Sequence, residues 1–143
     1  MELIYDSIKA QATKTKLLVV DDNLDIYSVI ESALGANLFE FHFSGTALDA
    51  FKILNKQNFD LVICDIKMPG QDGISLFEQI KEEGGPCPVF LFISGEVSQC
   101  NFDRLERLNQ YFILNKPFRL KQLRDLVASI LNNIESSIAY ART

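Results

Sequence analysis

Five polar residues stand where short apolar runs end. Asp21 and Asp22 follow the run 16–20, Asp65 follows 61–64, Ser94 follows 88–93, and Lys116 follows 111–114 after Asn115. If those runs are parallel strands, their carboxyl ends share one sheet edge, where open α/β sheets place their chemistry. Three carboxylates gathered at one edge repel each other unless a cation joins them. Oxygen ligands alone favour a hard ion such as Mg2+. Lys116 adds an ammonium and Ser94 a hydroxyl. A site with one divalent ion and one ammonium suits a phosphoryl group. Taken singly, each residue reads as an ordinary cap or turn; their joint placement carries the signal.

The elements that must position them follow from the apolar pattern. The stretch 59–73 organises the chain: a short apolar strand delivers Asp65 into the turn Pro69-Gly70-Gln71-Asp72-Gly73. Before it, the first strand is followed by a helix with Ile26, Val29, Ile30, Ala33 and Leu34 at helical spacing, stopped by Gly35. The segment 38–43 reads as a strand. Ser44 is then expected to cap a helix that turns Ala47, Leu48, Phe51 and Leu54 inward. Beyond Gly73 comes a helix with Ile74, Phe77 and Ile80 on one face, ended by Gly84-Gly85-Pro86. The run 88–93 is a strand, and a weaker helix with Phe102, Leu105 and Leu108 follows. A fifth strand at 111–114 leads to a helix carrying Leu120, Leu123, Leu126, Val127, Ile130, Leu131 and Ile134. Five strand–helix alternations require crossover connections, hence a parallel sheet with helices on both faces.

Composition bounds the rest. The chain has 143 residues, 48% of them hydrophobic and 23% charged, which fits one globular domain. Eleven Phe and no Trp predict a core of Phe and aliphatic side chains. A net charge of −5 argues against direct nucleic-acid binding. Cys64, Cys87 and Cys100 form no Cys-x-x-Cys pair and His42 stands alone, so reduced thiols in a cytoplasmic protein are expected rather than a zinc site. The first residues lack a signal-peptide core, and no apolar run is long enough to predict a membrane span.

Over residues 16–135 the chain resembles the response-regulator receiver domains of two-component signalling. Val20-Asp21-Asp22, the segment 65–73, Ser94-Gly95 and Lys116-Pro117-Phe118 carry the resemblance. It implies an α/β, flavodoxin-like (βα)5 fold with sheet order 2-1-3-4-5. It implies that Asp65 accepts a phosphoryl group from a histidine kinase or phosphotransfer protein. Asp21, Asp22, Asp65 and the backbone carbonyl of Lys67 match the family's Mg2+ ligands; Ser94 and Lys116 match its hydroxyl and lysine. The likeness also implies a cis Lys116–Pro117 bond. The protein would be a signalling switch rather than an enzyme with a separate substrate. Its output would pass to a downstream protein through the face of the fourth helix, fifth strand and fifth helix.

Three departures qualify the likeness. Ile113 stands where the family often has an aromatic ring, and Tyr111 lies one pleat lower on the same side. Lys67 stands two residues after Asp65 and Glu96 two after Ser94, so a pair across the pocket is expected to shield the acyl phosphate from water. No effector domain is expected after it; residues 136–143 read as a helical tail, and 1–15 as an N-terminal extension with Leu3, Ile4 and Ile8. Val127, Leu131, Ile134 and Ile138 continue an apolar stripe that predicts a weak homodimer. The alternative function is a receiver-fold scaffold that binds a partner without switching. A haloacid-type phosphohydrolase would need an Asp at position 67, and no glycine-rich nucleotide loop is present.

Overall fold

The computed structural model describes residues 14–108 and 110–142, with side chains as far as Ile134. Along the chain run β1 (Thr15–Val20), α1 (Asp25–Leu34), β2 (Phe39–Ser44), α2 (Ala47–Lys56), β3 (Leu61–Asp65), α3 (Gly73–Glu82), β4 (Val89–Ser94), α4 (Gln99–Leu108), β5 (Tyr111–Asn115) and α5 (Leu120–Arg142). All four strand pairs are parallel, and the order is β2-β1-β3-β4-β5. The fold and strand order are those expected from the sequence. The tail expected from residue 136 continues the same helix as α5.

Alternation along each central strand sorts the core into two layers. Leu18, Val20, Val62, Cys64, Phe90 and Phe92 pack under α2, α3 and α4, with Ala47, Ala50, Ile74, Phe77 and Leu105. Leu17, Val19, Leu61, Ile63, Leu91 and Ile93 pack under α1 and α5, with Ile30, Ala33, Leu123, Val127 and Ile130. Phe77, Phe90 and Phe92 form the aromatic centre of the first layer, Phe77 and Phe90 having ring centroids 4.6 Å apart. Each fully buried side chain of this size contributes about 1.5–3 kcal/mol.

The structure corrects several sequence expectations. Thr46, not Ser44, caps α2, its hydroxyl accepting the Asp49 N–H at 3.1 Å. Ser44 is the last residue of β2; it is buried and donates to the Thr46 carbonyl. Leu48 and Val29 face solvent, because Ala47 and Ala50 on α2 and Ile30 and Ala33 on α1 meet the sheet. The small alanines let α2 approach closely. Phe102 on α4 is also largely exposed. Through residue 134 the α5 stripe is not a free face: Val127 is buried, and Leu131 and Ile134 pack against the chain's own second layer. Ile138, like Leu3, Ile4 and Ile8, lies outside the described side chains.

Candidate functional site

Strand register assembles the site. Val20 pairs with Cys64, so Asp21 and Asp65 follow side by side. Asp65 pairs with Ile93, which puts Ser94 one residue further along. Ser94 pairs with Asn115, and Lys116 comes next. One carboxylate oxygen from each of Asp21, Asp22 and Asp65 lies within 4.8 Å of the others. Lys116 Nζ stands 3.9 Å from an oxygen of Asp21 and 3.9 Å from one of Asp65. Asp21 is buried, Asp65 half-buried and Asp22 exposed.

Local hydrogen bonds hold the acidic turn. The Asp21 N–H donates to the Ser44 carbonyl at 3.0 Å, and the Asn23 N–H donates to Asp21 Oδ1 at 2.9 Å. From α1, the Tyr27 hydroxyl donates to the Asp21 carbonyl at 2.6 Å, while its ring packs against Phe43 of β2. Nothing in the spacing of Tyr27 singles it out in the sequence; only α1 packing over β2 brings it to the turn.

The charges are in tension. Burial pushes the Asp65 carboxyl above its ordinary range; Lys116 and the Lys67 N–H pull down, and Asp21 and Asp22 push up. Asp21 is likewise raised, first by burial and with Asp22 adding to it, against the Asn23 N–H and Lys116. Two carboxyls raised by burial, with the Asp22 carboxylate within 4.8 Å of both, fit a divalent cation, which would replace the missing positive charge. A carboxyl raised in the folded state binds more protons than in the unfolded chain, so stability falls as pH rises through its folded value. At neutral pH without Mg2+ the full cost is present. Asp65→Asn is therefore expected to melt a few degrees above wild type in Mg2+-free buffer at pH 7, with the gap closing in acid. A melting point at or below wild type at pH 7 would contradict this electrostatic reading.

The loop after Asp65 is fixed by α3. Asp72 caps the helix, accepting the Ser75 N–H at 2.7 Å, and the Gly73 N–H donates to the Ile66 carbonyl at 2.9 Å. A Cβ on Gly73 would sit 2.2 Å from the Asp65 carbonyl oxygen and 2.7 Å from Cys64 Sγ. The sequence marks Gly73 only as a turn residue; the contact with Asp65 is a tertiary fact. Arg104 of α4 reaches the same loop, pairing with Asp72 at 2.9 Å and with Glu78. Burial works to raise the Asp72 carboxyl, but Arg104 and the Ser75 N–H outweigh it and hold it below its usual range.

On the other side, the Ser94 hydroxyl donates to the Glu96 carbonyl at 2.9 Å, and the Lys116 N–H donates to the Ser94 carbonyl at 2.7 Å. The Lys116–Pro117 bond is cis. Lys67 and Glu96 are both exposed and form no ion pair with each other. Screening leaves such a surface pair about 0–1 kcal/mol, too little to order two long side chains. The expected shield over the pocket is thus absent from this arrangement. Ile113 and Tyr111 are half-buried against the α2–α4 layer, and the Tyr111 hydroxyl donates to Glu106 of α4. That bond pushes the Tyr111 pKa up to about 12.

The sequence profile of the response regulator receiver domain matches residues 17–128. The chain belongs to that family. The receiver domain is 32% identical to the Regulator of RpoS of Escherichia coli K12 over 120 residues, covering 81% of this chain and 34% of that protein. It is 28% identical to Response regulator protein PilR of Pseudomonas aeruginosa over 119 residues, covering 83% of this chain and 26% of that one. It thus spans about a third or less of the curated relatives' length. The receiver fold is shared with the signal receiver domain of a LuxO repressor protein from Vibrio parahaemolyticus, at a TM-score of 0.80, 18% identity, and coverage of 90% and 98%. It is shared also with chemotaxis protein CheY4 of Vibrio cholerae, at a TM-score of 0.74, 21% identity, and coverage of 82% and 99%. Receiver domains act as signalling switches in two-component systems and bind Mg2+ at an acidic pocket. Among the described residues no helix is long and apolar enough to cross a membrane.

Proposed function

We propose that this receiver domain is a phosphorylation-dependent switch that accepts a phosphoryl group on Asp65 from a histidine kinase or phosphotransfer protein. The convergence of Asp21, Asp22, Asp65 and Lys116 supports this reading above all. A carboxylate oxygen of Asp65 attacks phosphorus, and the bond from phosphorus to the donor's imidazole nitrogen breaks, its electron pair staying on the ring. The product is an acyl phosphate. Two anions meet in this step, so the barrier is largely electrostatic. Lys116 reaches the carboxylates of both Asp21 and Asp65 and is placed to neutralise charge on the transferred oxygens. Mg2+ held by Asp21, Asp22, Asp65 and the Lys67 backbone carbonyl would supply the remaining positive charge. Ser94 gives up its bond to the Glu96 carbonyl and turns its hydroxyl to a phosphoryl oxygen.

The output follows from that exchange. Releasing Glu96 loosens the loop that leads into α4. Ile113 is stiff, smaller than an aromatic ring and without a hydroxyl, so β5 shifts little. The signal leaves mainly through the 96–104 segment to a downstream protein at the α4–β5–α5 face. The domain works in the cytoplasm and does not itself touch nucleic acid.

The test is intact mass after incubation with Mg2+ and a small phosphodonor. One added phosphoryl group per chain is expected. No gain, with the protein folded and Mg2+ bound, would leave the non-switching scaffold as the better reading. Asp22→Asn is expected to lower Mg2+ affinity at least tenfold by calorimetry, since a donor of the cluster loses its charge. Unchanged affinity would remove Asp22 from the metal site.

A further inference from the structure

Arg104 makes more side-chain contacts than the exposed helix around it requires. Nη1 donates to Asp72 Oδ2 at 2.9 Å and to Asn101 Oδ1 at 3.2 Å. Nη2 donates to Ser75 Oγ at 2.9 Å and to Asp72 Oδ1 at 3.4 Å. Nε donates to Glu78 Oε1 at 3.2 Å, and Nη2 makes a second bond to that oxygen. The side chain is 22% exposed. A planar fork that bridges two carboxylates and a hydroxyl is specific to arginine and resists sliding.

What the fork grips matters more than its strength. Asp72 is the N-cap of α3, and the next residue, Gly73, is packed against the Asp65 carbonyl with no room for a methyl group. Gly73 also donates to the Ile66 carbonyl, and the Ile66 N–H points to the Ile93 carbonyl of β4 at 3.4 Å. From the guanidinium to the backbone of Asp65 there is one side chain and one close contact. Little slack exists to absorb a movement of α4.

We propose that Arg104 is a positioning residue: through Asp72 and the first turn of α3 it holds the backbone after Asp65, so that α4 and the phosphoacceptor loop move as one body. The coupling is reciprocal, as any linkage between two sites must be. It gives α4 a second connection to the site, separate from the Ser94–Glu96 loop. Its signalling consequence rests on the reading of Asp65 as phosphoacceptor.

Amide hydrogen exchange on the whole chain tests the grip without any ligand. In Mg2+-free buffer, Arg104→Met should speed exchange of the Gly73 and Ile66–Met68 amides about tenfold and leave the amides of β1 and α5 as in wild type. Arg104→Lys, which keeps the charge but cannot fork, should fall between. Glu78→Gln, which spares the Asp72 cap, should loosen α4 more than Gly73. Exchange at Gly73 equal to wild type in Arg104→Met, or a rise spread evenly over β1 and α5, overturns the proposal. A second arm adds beryllofluoride with Mg2+. Wild type should change its exchange across 99–108 on binding, and Arg104→Met should bind the anion with that response reduced at least twofold, the Ser94–Glu96 route remaining. A response of wild-type size in the variant overturns the coupling. Failure of wild type to bind the anion would instead sink the phosphoacceptor reading, and the ligand-free arm would still decide whether Arg104 holds the loop.

Discussion

Asp65→Asn is expected to abolish Mg2+-dependent phosphoryl uptake while leaving the fold intact. The amide has the shape of the carboxylate but lacks the anionic oxygen that attacks phosphorus. No neighbour is placed to take its role. Asp21 is 3% exposed and its Oδ1 already accepts the Asn23 N–H. Asp22 is exposed and is one of the three carboxylates proposed to hold the cation. Ser94 carries a neutral hydroxyl, a weak nucleophile unless a base takes its proton. Intact mass after incubation with the small phosphodonor and Mg2+ should show no added phosphoryl group, where wild type adds one. Uptake at the wild-type level would move the acceptor to another residue. Because this substitution also relieves crowding between Asp65 and its neighbouring carboxylates, the variant should be at least as stable as wild type without Mg2+. Loss of uptake therefore cannot be blamed on unfolding.

Gly73→Ala is expected to have the largest effect on stability. Glycine is required here by space rather than by backbone angle: the added methyl would sit 2.2 Å from the Asp65 carbonyl oxygen and 2.7 Å from Cys64 Sγ. Neither atom is the free end of a flexible chain. One is backbone at the end of a central strand, and the other is a fully buried side chain. Relief requires α3 to retreat from β3, which opens the layer around Ile74 and Phe77. A cost of about 3 kcal/mol or more follows, at the upper end for overpacking. Denaturant unfolding should place the midpoint well below wild type. Gly85→Ala, where nothing lies within 4 Å of the added carbon, serves as the control and should stay within about 0.5 kcal/mol. A Gly73→Ala variant as stable as that control would mean the loop has slack, and with it the route from Arg104 to Asp65 would fail. The same variant should also weaken Mg2+ binding, since the Asp65 backbone must shift.

The apolar runs and their breaks determined the five strands, the five helices and their alternation. The polar residues at the run ends determined which side chains meet: once the strands are parallel, each end falls on one edge. That is why Asp21, Asp22, Asp65 and Lys116 were legible without coordinates, and why the family could be read from them. Helix faces were less legible. At Val29 and Leu48 the helical period allowed either that side chain or its neighbour to face the sheet, and only close packing chose Ile30 and Ala47. Caps depended on where β2 stopped: its last hydrogen-bonded residue is Ser44, which passed the cap to Thr46. Pairs distant in sequence were invisible. Arg104 meets Asp72 and Glu78 across 32 and 26 residues, and Tyr27 meets Asp21 only because α1 packs over β2. Lys67 and Glu96 show the converse: the sequence placed two opposite charges beside one pocket, and solvent screening left them apart. Periodicity and turn chemistry act over a few residues and fix which elements form. Which side chains touch across elements depends on interhelical distance, on the room a single Cβ takes and on the cost of desolvating a charge, and those are set only when the layers close.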